Sequence, residues 1–146
     1  MWLAAVDTSR ELRDRAREEA ISANVETTNP ASQEIVRRHL LTASFDKQKT
    51  VDRVEIKEVT LSAGQSTGLH LHPCPVVGYV IEGSILFQIE GQPAKDLKVG
   101  DAFYEPAHTR ITHFDSVAGK PEKFIAYYLV GLRDQELITT LEEGQG

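Results

Sequence analysis

One cysteine, Cys74, in 146 residues leaves no pair for an internal disulfide. A cystine-stapled scaffold is excluded, and the usage is consistent with a reducing compartment. Long apolar runs are equally scarce. The opening MWLAAV stops at Asp7, without the charged lead or the length of a secretory signal, and no span approaches the roughly 20 residues that cross a bilayer. The expectation is a cytoplasmic protein with no membrane partner. Clustered positive charge is missing too. Lys and Arg total 16 against 22 Asp and Glu, a net charge of −6 with no dense basic patch, which argues against nucleic acid as a partner. No period of about 20–50 residues repeats, so solenoids and propellers are unsupported.

What is present is the composition of a globular domain, 40% hydrophobic and 26% charged, long enough to bury a core without staples. TSRELRDRAREEAISA at 8–23 opens on a capping box, Thr8 with Glu11, and carries a thin apolar stripe through Leu12, Ala16 and Ala20, which predicts a loosely attached helix. VETTNPAS at 25–32 reads as a linker, broken at Asn29-Pro30. Residues 1–33 are therefore expected to form an N-terminal helix and linker, and 34–146 the main domain.

From Ile35 the texture becomes that of strands: VDRVEIKEVTLS, VVGYVIEG, SILFQIEG and KFIAYYLVG are rich in Val, Ile, Phe and Tyr. Between them stand turn signals at Ala63-Gly64, Glu82-Gly83, Gly91-Gln92-Pro93 and Gly100-Asp101. IVRRHLLTASF at 35–45 is read as a further strand, although a helix from Ser32 would also bring Ile35 and His39 to one face. The class is all-β, and 84–105 reads as a meander.

The stretch GLHLHPCPVVGYVIEG at 68–83 contains His70 and His72 at i and i+2. On a strand both imidazoles project to one face, about 6–7 Å apart at Cα, so two nitrogens can meet one ion. Without context, the pair is equally readable as polar residues at a barrel mouth. The context is Gly64, five residues, His70-x-His72, and Gly83, then, after sixteen intervening residues, Gly100, five residues and Pro106. This arrangement resembles the two sequence motifs of the cupin family, over roughly residues 35–141. The resemblance implies a double-stranded β-helix, a jelly-roll barrel, with a short N-terminal helix preceding it. It also implies a homodimer, with the 35–45 strand exchanged between copies to protect a sheet edge.

Where the family carries a full set of three histidines and a glutamate, this chain departs. The glutamate position is Val76, the third histidine is Ile111, the motif glycine is His108 and the terminal asparagine is Asp115. Period-two alternation from Ile111 places His113 and Asp115 on the same face, and a bulge near Ala107-His108 would extend the reach of His113. The expected metal ligands are thus His70, His72 and His113. Glu105 is a reserve carboxylate, and the ion is a divalent transition metal: Zn, Ni, Fe, Cu or Mn. Cys74 is read as a small buried hydrophobe before it is read as a soft ligand.

Three functions stay open. The first is a metal-dependent protein; as an enzyme it would be an oxygenase or an isomerase or epimerase. The second is a metal-free module that binds a small molecule in a pocket lined by Val76, Phe87, Glu105 and Ile111, with Val80 and Tyr127 beside them. The third is a scaffold with a filled interior.

Overall fold

In a computed structural model of the chain, residues 8–23, 33–117 and 119–142 are described. The chain divides into two units, Met1–Arg38 and His39–Gly146. In the first, α1 spans Thr8–Ala23, the range that the capping box and apolar spacing predict, and its Leu12 is exposed. The expected linker at 25–32 lies outside the described residues.

Among its described residues the second unit has nine strands: β1 Arg53–Leu61, β2 His70–Leu71, β3 Val76–Glu82, β4 Ser84–Ile89, β5 Lys95–Lys98, β6 Ala102–Glu105, β7 Ile111–Ser116, β8 Glu122–Val130 and β9 Thr139–Thr140. They form two antiparallel sheets, ordered β1-β8-β3-β6 and β5-β4-β7-β2-β9, the two-sheet arrangement of a jelly roll. No strand forms at 35–45. Those residues have no regular structure, because none of them is paired with a neighbouring strand in a hydrogen-bonded ladder. Apolar composition alone does not make a strand.

Alternation along the strands divides inside from outside. β8 reads buried and half-buried in strict turn from Glu122 to Val130, and β3 keeps Val76, Gly78 and Val80 inside. Between the sheets lie four phenylalanines, Phe87 and Phe114 from one and Phe103 and Phe124 from the other, with ring centroids 4.7–6.2 Å apart. Such rings contribute about 1.5–3 kcal/mol each on burial and prefer these tilted contacts. Gly78 makes the packing possible: a Cβ there would stand 2.1 Å from Phe103 Cζ and 2.5 Å from the Ile125 carbonyl oxygen. The strand therefore carries hydrogen where the ring lies.

One irregularity decides the site. β7 pairs with β4 through Gln88↔His113 and then Ile89↔Ile111, so β7 has one residue more than its partner at that point. This β-bulge resets the alternation, and Ile111 and Phe114 both turn inward.

Candidate metal centre

Three buried side chains converge at one end of the unit. His70 comes from β2, His72 follows just after it, and Glu105 ends β6; all are 2–4% exposed. One nitrogen or oxygen from each lies within 4.8 Å of the others. His70 Nε2 is 3.3 Å from Glu105 Oε1 and His72 Nε2 is 3.2 Å from Glu105 Oε2.

Sheet register explains how the carboxylate arrives. Val76, the expected glutamate position, is the cross-strand partner of Glu105. Both residues point inward from adjacent strands, so the acid reaches the histidines from β6 rather than β3. Ile111 is the cross-strand partner of His70 and presents a methyl surface where a third imidazole was expected.

His113 is the correction to the expected ligand set. It is 47% exposed and its Nδ1 lies 2.7 Å from Asp115 Oδ2, away from the pair. The bulge that turns Ile111 and Phe114 inward faces His113 outward, and strict alternation does not anticipate it. Of the expected pocket residues, Val76, Phe87 and Ile111 are buried in the hydrophobic core, Phe87 packed against Phe103 and Phe114. Glu105 belongs to the histidine cluster. Cys74 is fully buried, its thiol pushed up to about 11 by burial and then by Asp134, so it stays a neutral thiol.

The outer nitrogens fix the histidine tautomers. His70 Nδ1 lies 2.8 Å from the Gly68 carbonyl oxygen and His72 Nδ1 lies 2.5 Å from that of Leu137. A carbonyl only accepts, so each Nδ1 donates, and each neutral ring turns the lone pair of Nε2 toward Glu105. Backbone carbonyls orient histidine ligands in metal sites in this way. Tyr128, edge-on to His72 with ring centroids 5.5 Å apart, completes the wall. The Leu137 carbonyl and Tyr128 carry no sequence signal of their own; Tyr128, rather than Tyr127, faces inward by its place on β8.

This arrangement sets two imidazole lone pairs against an acceptor-only carboxylate in a buried space, which is unfavourable unless positive charge lies among them. Protons are one source. Burial opposes a charged His70 most strongly, yet the Glu105 hydrogen bond, the Gly68 carbonyl and the charges of Glu105 and Asp115 together hold that imidazole above its ordinary value. Burial pushes Glu105 up, but the two imidazoles outweigh it and lower the carboxyl. One proton does not serve both rings, however. His72 Nε2 lies 3.2 Å from Glu105 Oε2 but, among the described residues, this buried nitrogen makes no hydrogen bond. A divalent cation satisfies all three atoms, and two nitrogens with one carboxylate oxygen form a donor set suited to Zn or Fe(II). The residues present fit a metal.

Comparison with known proteins follows the same line. The family profile described as Cupin domain matches residues 57–118, while no curated protein matches the chain. Among solved structures, an oxalate oxidase in complex with the substrate analogue glycolate superposes with a TM-score of 0.53 at 18% identity, over 60% of this chain and 46% of that one. An oxalate decarboxylase from Bacillus subtilis gives 0.54 at 20% identity, over 60% and 24%. A cupin-like protein from Thermotoga maritima gives 0.50 at 26% identity, over 62% and 68%. The match spans less than half of the oxalate oxidase and about a quarter of the decarboxylase. These likenesses establish the fold.

Proposed function

We propose that this chain, whose residues 57–118 match the Cupin domain profile, is a metal-binding cupin. Its ion is held by His70, His72 and Glu105, and coordination positions are left for a small-molecule ligand. The carrying observation is the pair of Nδ1–carbonyl contacts that turn both Nε2 lone pairs onto one buried carboxylate. The ion would act as a Lewis acid on an oxygen ligand. The protein's own groups orient the imidazoles, neutralise part of the cation's charge through Glu105, and surround the centre with Val76, Ile111 and Tyr128, which limit water.

Elemental analysis of untagged protein purified without chelators, beside His70→Ala, tests this reading. The expected result is near-stoichiometric Zn, Fe, Mn, Ni or Cu in the parent and none in the variant, with the melting temperature of the parent rising on metal addition. If neither protein holds metal after reconstitution, the metal reading is lost and the barrel is a ligand module based on a His70–Glu105 ion pair.

A homodimer is part of the same proposal. β1 stands at the end of its sheet, and its Val54 and Ile56 are exposed, as are Leu40, Leu41 and Phe45 in the segment before it. An open apolar edge favours pairing with a second copy. Light scattering should give twice the chain mass for the parent and the monomer mass for Ile56→Lys; a monomeric parent removes the dimer.

A further inference from the structure

We propose a second small-molecule site on the outer wall of the barrel, separate from the histidine–glutamate cluster and suited to a small aromatic carboxylate. A cavity of about 340 Å³ lies between the 45–49 segment, the prolines flanking Cys74 and the turn that follows β6, within the usual range of ligand sites, about 300–1,000 Å³. Parity separates it from the metal centre. Phe103 and Glu105 point inward, so Tyr104 between them faces out into the cavity.

The lining combines apolar and charged side chains. Phe45 and Tyr104, 5.9 Å apart and tilted by 38°, form with Pro73, Pro75 and Pro106 an apolar wall that a planar ring can cover. Asp46 lies on the Tyr104 side: burial, and then the charge of Asp46, push that phenol up. A carboxylate there is an acceptor for a ligand hydroxyl. Asp134, the other acid of the lining, is already engaged by Lys49. The Lys47 ammonium and a ring N–H of His108, both in the lining, are then the donors available to a ligand anion.

His108 is the residue that singles this cavity out. It sits at φ 56°, in the left-handed region, although it is not glycine. Its turn is held by the backbone, His108 N donating to the His72 carbonyl at 2.7 Å, so the imidazole is not needed to form it. A glycine would satisfy the turn without strain. The side chain found there instead lines the cavity.

The test uses the full chain with 4-hydroxybenzoate as the probe, titrated by calorimetry in the metal-free and metal-loaded protein. Saturable binding of one molecule per chain is expected in both. It should weaken about ten-fold or more in His108→Gly, which should melt no lower than the parent because the turn is relieved. Phe45→Ala, which truncates a partly exposed ring, should weaken binding similarly, and the neutral amide 4-hydroxybenzamide should bind far less well. Binding that requires the metal places the ligand in the barrel and overturns the proposal. So does an absence of saturable binding, equal affinity for the amide, or affinity unchanged in both variants.

Discussion

Glu105→Gln should cost about 10²–10³-fold in metal affinity while leaving the metal-free fold as stable as the parent or more so. The size follows from four-ligand structural zinc sites, whose binding free energy of about 10–16 kcal/mol amounts to about 2.5–4 kcal/mol per ligand, the share assigned here to Glu105. The opposite sign for stability follows from hydrogen-bond inventory. Glu105 is buried against His70 Nε2 and His72 Nε2, and a carboxylate only accepts. A glutamine amide donates to one of those lone pairs and removes a buried charge. The gain should be clearest at alkaline pH. The raised value of His70 and the lowered value of Glu105 mean that the imidazolium–carboxylate pair contributes most at pH between the two, is lost as pH falls through that of Glu105 and fades as pH rises through that of His70. Chelator-competition titration with Zn and chemical denaturation in EDTA measure the two effects. Affinity within about three-fold of the parent would show that Glu105 is not a ligand, whatever the stability does.

That split between binding and stability explains why the site was only partly legible in the sequence. His70 and His72 sit two residues apart, so strand parity puts them on one face without any tertiary knowledge, and both are buried together. The glycines that frame the first motif mark real turns, with φ +73° at Gly64 and +75° at Gly83. These signals are local, and the fold follows from them. Glu105 could be placed near the pocket but not assigned to the metal, because its inward direction depends on parity through Pro106 and on its pairing with Val76, a register between strands nearly thirty residues apart. His113 failed for a related reason. A one-residue bulge opposite Gln88 and Ile89 inverts every face after it, and nothing in ITHFD announces a bulge. The 35–45 segment has strand composition but no strand, since a ladder requires a partner edge and composition cannot provide one. The placement of Glu105 opposite the Val76 position, across a strand pair, is therefore visible only once register is known.

At the other end of β8 from Tyr128, Glu122 should make the fold less stable as pH rises, and Glu122→Gln should abolish that dependence. Glu122 is fully buried, and among the described residues neither carboxylate oxygen has a hydrogen-bond partner. Gly83 closes on it: a Cβ at Gly83 would stand 2.7 Å from Glu122 Cβ. Burial, and then the negative charge of Asp115 on β7, push the carboxyl up from 4.5 to about 7. On its own strand, the adjacent Lys123 is directed to Glu58 at 3.4 Å and does not compensate. A raised folded value means that the native state holds the proton more tightly than the unfolded chain. The associated stability is complete below about pH 4.5 and is lost as pH rises through about 7. The interval corresponds to about 3 kcal/mol at about 1.4 kcal/mol per pH unit. Denaturant unfolding in EDTA should find the parent and Glu122→Gln nearly equal at pH 5 and the variant more stable by up to about 3 kcal/mol at pH 8. Every other ionisable group is common to both proteins, so the difference between the two curves isolates Glu122. Parallel curves would mean that the carboxylate ionises inside the barrel at little cost, and that the end of the barrel near Gly83 admits water.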